Sequence, residues 1–263
     1  MGKLPLLSFI FARLAFAIDY AKKRIVKPEN IPVAHDPTVQ RHIGELSAHL
    51  DGALLVLVPA EAPGIATDGK WNTLGMRATF SPSVTFTGVR VSKDTALGDP
   101  GTGLRVGVVE SFALGYAAVY TGIAEGALAF AIDYAKKRIV KPENIPVAHD
   151  PAVQRHIGEL SAHLDGALLV LADAAERWED ADIVERGVLG NKAKYLATEV
   201  GLAVTSKVIQ VVGGRGAYKD FPAERAFRDL RTSTLMPPTV DRMLEGIGKN
   251  ALGIEGVMFK VSE

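Results

Sequence analysis

The sequence predicts a mainly α protein with a small β segment. An antiparallel helical bundle is expected over residues 102–263, preceded by a β-rich stretch over 58–101 and a lead-in over 1–57. Three observations carry that prediction. Beyond residue 104, apolar side chains recur every three or four positions, the period of a helix that buries one face. Between 58 and 101, β-branched and aromatic residues alternate with polar ones and are broken by Gly and Pro, the pattern of strands and turns. Apolar residues make up 48% of the 263, enough for a sizeable core.

The lead-in opens with "KLPLLSFIFARLAFAI", which resembles a signal-peptide core. Arg13 interrupts it, no small-residue cleavage site follows, and it is too short to span a bilayer. The chain is therefore expected to be soluble. From Leu14 a longer feature begins. Leu14–Leu57 matches Leu128–Leu171 at every position except Thr38 against Ala152. Solenoid repeats share a sparse pattern over several units. Near-identity over one pair instead marks a recent duplication or recombination of coding sequence, or an error in its assembly. The two copies of "LDGALLVL" continue differently. The second runs into "ADAAERWE", which extends a helix, and the first into "VPAEAPGI", where Pro59 and Pro63 cannot. The second copy is thus read as native and the first as transplanted. In the first, the helix should fail near Gly52, with "ALLVLV" drawn toward a strand.

In the β stretch, "SVTFTGVRV" (83–91) predicts a strand pair with a turn near Gly88. Two strands alone do not make a stable sheet, so this segment needs partners. "GDPGTG" (98–103) reads as a linker into a long helix over 104–140, rich in apolar residues and free of proline. Asp150-Pro151 is a helix start signal, with Asp as N-cap and Pro at the first helical position. From there Val153, Ile157, Leu160, Leu164, Leu168, Leu171, Ala175 and Trp178 trace one helical face. A third helix opens at Asp182, with Glu185 placed as in a capping box, and turns Val188, Leu196, Val200, Val204, Val208 and Val211 inward. "GGRG" (213–216) ends it, and shorter helices follow over 222–231 and 239–252.

Thirty basic and thirty acidic side chains cancel, which excludes a general nucleic-acid or polyanion binder. "AKKRIVK" (135–141) is the one candidate for a local basic patch, its other reading being a solvated helix end favoured by the macrodipole. The absence of cysteine excludes disulfides, thiolate chemistry and zinc–thiolate sites, and fits a cytoplasmic location. The six histidines are three duplicated pairs, His35/His149, His42/His156 and His49/His163. No acidic partner spacing supports a metal site, and surface or rim positions are expected.

Five stretches, in this order, resemble the acyl-CoA dehydrogenase family of flavoproteins. They are "LVPAEAPGI", "WNTLGMRATFSPSVTFTGVRV", the helix ending in "DYAKKR", "QVVGGRGAY" and "ERAFRDLR". They run from Leu57 to Gly253. The first two look like the second half of that family's middle β-domain, and the rest like its C-terminal four-helix domain. The resemblance implies that the N-terminal helical domain and the first β-domain strands are missing, their place taken by the duplicated segment. An exposed apolar face where that domain docks is then expected to drive association.

What the resemblance implies chemically is α,β-dehydrogenation of an acyl-CoA thioester. A carboxylate takes the α-proton, the β-hydride goes to FAD, and an electron-transfer flavoprotein is the type of acceptor expected. The FAD lies between subunits of a homo-oligomer, a dimer or tetramer. By resemblance, Arg138 meets its pyrophosphate, and Gln210, Gly213 and Gly214 lie against the adenosine side. Guanidinium forks suit phosphate oxygens, and glycine lets backbone approach a ligand. Taken alone, "GGRG" also reads as a helix C-cap with left-handed glycines. After Arg138 the family's Phe-Gly-Gln/Lys is replaced by "IVKP", and the loop to Asp150 looks extended.

The usual base is a Glu in a Tyr-Glu-Gly-Thr segment about ten residues past the "RD" pair. Aligned on Arg228-Asp229, this chain places Pro237 there, a residue without proton chemistry, while Thr239 matches the flavin-contacting threonine. Some relatives carry the base on the long helix. Glu110 is the candidate, about two residues out of register, a rotation of roughly 200°; its alternative role is a partly exposed helix carboxylate. Two other readings stand beside dehydrogenation. One is a flavin monooxygenase of the dibenzothiophene-desulfurising type, which also lacks the glutamate, although no histidine follows His163. The other is a non-enzymatic helical remnant that associates with intact paralogues.

Overall fold

The computed structural model describes residues 56–99 and 108–254. The lead-in and the first copy of the repeat up to residue 55 lie outside them, with His35, His42 and His49. The chain divides into two compact units, one holding residues 56–99 and the other residues 110–254.

In the first unit, Ile65–Thr67 (β1) pairs antiparallel with Val84–Phe86 (β2), Ile65 opposite Phe86 and Thr67 opposite Val84. This corrects the expected pairing within 83–91. Gly88 does turn the chain, at φ +60°, but the described residues 89–99 form no strand after it. Alternation fixes a strand's faces and not its partner. The partner is set by Gly64, whose carbonyl takes the Thr87 amide at 2.8 Å. At φ +96°, a Cβ on Gly64 would sit 2.2 Å from the Thr87 carbonyl oxygen, so only glycine permits this approach. Val56 bridges Ala96, and the Leu57 amide donates to the Thr95 carbonyl at 2.9 Å. The described end of the first "LDGALLVL" copy is therefore extended, as its prolines require.

The second unit is the helical bundle. Its three long helices are Val108–Lys137 (α1), Pro151–Arg177 (α2) and Ile183–Val212 (α3). Pro222–Thr232 (α4) and Val240–Ala251 (α5) pack on α3 and complete it. On α1, Ala113, Ala117, Ala124, Ala127, Ala131 and Ala135 are all fully buried. Such small side chains let α1 and α3 approach closely. A Cβ on Gly190 of α3 would lie 3.2 Å from the Ala113 Cβ and from the Glu110 carbonyl oxygen, and one on Gly201 would lie 3.7 Å from the Tyr120 carbonyl. These pairs advance together, so α1 and α3 run parallel and α2 returns between them. By length and hydropathy α1 and α3 could each cross a membrane; here both are core helices.

The Asp150 carboxylate caps α2 through the Ala152 amide at 2.7 Å, with Pro151 in the first turn. Leu164–Leu171 is helix interior, as read for the native copy. Val153, Leu160, Leu164, Leu171, Ala175 and Trp178 are buried, while Ile157 and Leu168 are half-buried. His149 and His163 are exposed and His156 is half-buried. At α3, Asp182 accepts the Glu185 amide at 2.8 Å. The return half of the capping box is replaced, because the Glu185 carboxylate pairs with Arg177 of α2. Four of the six predicted inward residues of α3 are buried, and Leu196 and Val200 are half-buried. Thr198, Thr205 and Lys194 are fully buried as well. A single apolar stripe could not reveal this, since α3 is packed on several sides at once.

The loop after Arg138 is a small hairpin, not a plain extension. Ile139–Val140 (β3) pairs with Ile145–Pro146 (β4), and Asn144 turns at φ 56°. The Val147 amide closes the hairpin onto the Arg138 carbonyl at 2.8 Å.

Candidate functional site

Because α1 and α3 run parallel, their C-terminal ends meet. Arg138 follows directly from α1, its amide still bonded to the Tyr134 carbonyl at 2.8 Å. At the end of α3, Gly213 adopts φ 77° and ψ −158°, and its amide donates back to the Ile209 and Gln210 carbonyls. That backbone region is essentially restricted to glycine. It is not the left-handed cap that "GGRG" suggests on its own, and Gly214 has no positive φ. A 3-10 turn over Gly213–Ala217 follows.

Between these ends lies a cavity of about 960 Å³, lined among others by Arg138, Gly213, Gly214, Arg215, Tyr218 and Asp220. A Cβ on Gly213 or Gly214 would meet nothing within 4 Å, so both glycines border open space. Gly216 differs: a Cβ there would lie 2.9 Å from the Ile209 carbonyl oxygen, which makes it a structural requirement of the turn. Both helices bring the negative ends of their dipoles to this cavity. An anion in it must therefore be carried by the two guanidiniums, and Arg138 and Arg215 are placed to do so.

Arg138, Gly213 and Gly214 are thus brought together. The other predicted residues are not. Gln210 is exposed and outside the cavity lining. Glu110 stands in the first turn of α1, about 40 Å along the helix from Arg138. Burial raises the pKa of its half-buried carboxyl, and a backbone hydrogen bond and Arg186 oppose that rise. Thr239 is the N-cap of α5, half-buried, with no side-chain cap bond.

Thr239 leads to a residue that the sequence reading missed. Lys194 of α3 is fully buried, and its Nζ donates to the Met236 and Pro238 carbonyls, each at 2.5 Å. The ammonium also lies 5.4 Å from the ring centroid of Tyr116. Among the described residues it meets no carboxylate. Burial pulls its pKa down to about 8. Removing such an ion from water costs several kcal/mol, offset here by two charge-assisted hydrogen bonds and the aromatic face. The signal lay in "GNKAKYLA", where a lysine interrupts a run of small core residues. The same contacts set the proline turn on the N-terminal half of α3. Lys194 holds the proline turn, and Gly190, one helical turn earlier, faces the Glu110 backbone.

Comparison with known proteins agrees with this architecture. A sequence profile described as "Acyl-CoA dehydrogenase, C-terminal domain" matches residues 114–236. The mitochondrial short-chain specific acyl-CoA dehydrogenase of Bos taurus is 31% identical over 195 residues, covering 73% of this chain and 46% of that protein. The chain belongs to the acyl-CoA dehydrogenase family. Within that family it is similar to monooxygenases as well. The probable FMNH2-dependent monooxygenase SfnC of Pseudomonas putida is 33% identical over 218 residues, covering 76% of this chain and 54% of that protein. Among solved structures, FMN-bound TdsC from Paenibacillus sp. A11-2 superposes with a TM-score of 0.68 at 31% identity, covering 76% of this chain and 55% of that one. The chain spans about half the length of the curated relatives it matches. The segment that the profile matches lies within the helical unit, from the first long helix to the turn before the last.

Proposed function

We propose that this chain forms the C-terminal, dinucleotide-binding part of an FAD-dependent oxidoreductase that removes hydrogen across the α,β bond of an acyl-CoA thioester. The cavity at Arg138 is the observation that carries this reading. Its volume, its two guanidiniums and the two glycines bordering open space fit the pyrophosphate and adenosine of FAD. The residues that would hold it are Arg138, Arg215, Gly213 and Gly214. Bound there, FAD supplies the hydride acceptor. This chain must provide anion neutralisation and backbone room at one end and, at the other, a proton acceptor. Pro237 cannot accept a proton. Glu110, half-buried and about 40 Å along α1 from Arg138, is the candidate base for a different flavin from the one in this cavity, each flavin being shared between subunits of the homo-oligomer. A homo-oligomer, an electron-transfer flavoprotein as acceptor and a cytoplasmic location complete the proposal.

Pro237 also supports a second reading, a flavin-dependent monooxygenase on the same fold, since that chemistry needs no glutamate at this position. Flavin titrations separate the two. The dehydrogenase reading expects FAD to quench more tightly than FMN, and thioester oxidation once the chain is loaded. FMN preference with NADH-driven oxygenation supports the monooxygenase. No flavin binding leaves the non-enzymatic helical partner.

A further inference from the structure

One wall of the Arg138 cavity carries side chains that no sequence motif singled out. The turn after α3 contributes Arg215, Tyr218 and Asp220 to the lining. Its backbone is tied at both ends. The Tyr218 amide donates to the Arg215 carbonyl at 3.1 Å, and the Phe221 amide donates to the Tyr218 carbonyl at 3.0 Å. Gly216 seals the turn against α3, since a Cβ there would lie 2.9 Å from the Ile209 carbonyl oxygen. A guanidinium, an aromatic ring and a carboxylate are therefore held along one short stretch of backbone.

The aromatic rings of the cavity are not equivalent. Tyr134 and Phe221 are half-buried and meet edge to face with centroids 6.2 Å apart, and Phe221 meets Phe130 the same way at 6.0 Å. These rings are engaged with one another. Tyr218 is 65% exposed and joins no ring–ring or cation–ring contact among the described residues. An open aromatic face beside a cavity suits a flat conjugated ligand. Nucleobases stack on such faces, each stack adding substantially to affinity. Asp220 is exposed on the same wall and forms no ion pair among the described residues. Its carboxylate accepts hydrogens from a sugar hydroxyl or an exocyclic amine and repels a further phosphate. With a diphosphate on Arg138 and Arg215, the nucleoside attached to it is the part that meets Tyr218 and Asp220.

We propose that Tyr218 is the base-stacking residue of this cavity, and that the cavity takes a purine nucleoside diphosphate by itself, so that free ADP competes with FAD. The inference rests on the flavin reading above and adds to it a specificity residue and a regulatory ligand. Occupancy by FAD then depends on how much free adenine nucleotide is present.

The test uses the purified chain with FAD, ADP and inorganic pyrophosphate as probes. FAD is followed by its fluorescence, and the other two by calorimetry and by displacement of FAD. In the parent, saturating ADP is expected to displace the bound FAD, and pyrophosphate to bind at least about ten-fold more weakly than ADP. Tyr218→Leu should weaken ADP and FAD by the same factor, about ten-fold, and leave pyrophosphate unchanged. Tyr218→Phe, which keeps the ring, should bind all three like the parent. The side chain is mostly exposed, so both variants should melt within about 1 °C of the parent. FAD that ADP does not displace overturns the inference and leaves the flavin reading standing. A Tyr218→Leu chain that binds ADP like the parent also overturns it. So does an equal loss of pyrophosphate, which marks damage to the turn and not a lost stack. A parent that binds ADP but not FAD supports the nucleotide site and removes the flavin; one that binds neither overturns both.

Discussion

Raising the pH from 7 to 9.5 should stabilise the helical unit, and Lys194 is the reason. Its pKa falls from 10.5 to about 8 on folding because burial disfavours the ammonium. Between those values the unfolded chain holds a proton that the folded chain has released, so stability rises with pH. The full effect of a shift from 10.5 to about 8 is about 3 kcal/mol. About 2 kcal/mol of it falls between pH 7 and 9.5, or roughly 5 °C in melting temperature for a chain of this size. Burial raises the pKa of Tyr116. Tyrosine therefore ionises earlier in the unfolded chain and opposes the gain only above about pH 10, outside the window. The assay is urea unfolding followed by helical circular dichroism at half-unit pH steps, with the parent and Lys194→Met compared. The parent should gain stability across the window and the variant should not. A flat parent profile, or the same rise in Lys194→Met, refutes the reasoning.

Two further outcomes test the site. Gly214→Ala should leave the melting temperature within about 1 °C, since the added Cβ meets nothing in the chain and no positive φ is involved; FAD affinity should still fall, and an unchanged dissociation constant by fluorescence titration would remove Gly214 from the site. Glu110→Gln should lower thioester oxidation by the FAD-loaded chain about a hundred-fold or more if its carboxyl is the base. Unchanged turnover removes it.

Much of the fold was legible because its signals are local. Asp150-Pro151 and Asp182 start helices where they are predicted, since a cap needs only its own first turn. Leu164–Leu171 is helical and Val56–Val58 is not, because the prolines after one copy settle the matter within a few residues. What was not legible depended on distant partners. The strand β2 pairs with β1 across a long loop through the approach of Thr87 to Gly64, which no alternation encodes. The Glu185 carboxylate leaves its capping box for Arg177, a residue of another helix. At the site, Arg138, Gly213 and Gly214 could be named from motifs, but their meeting in one cavity follows from the parallel course of α1 and α3. Lys194 was passed over because its partners are carbonyls, which carry no side-chain signature.

The central claim is that the Arg138 cavity receives the dinucleotide end of a flavin. It is tested most directly by titrating the purified chain with FAD and with FMN under identical conditions, alongside Arg138→Ala. The account predicts FAD binding at least ten-fold tighter than FMN, with Arg138→Ala losing about 1.5–3 kcal/mol of FAD affinity. FMN binding as tightly as FAD, or Arg138→Ala binding FAD like the parent, would contradict it.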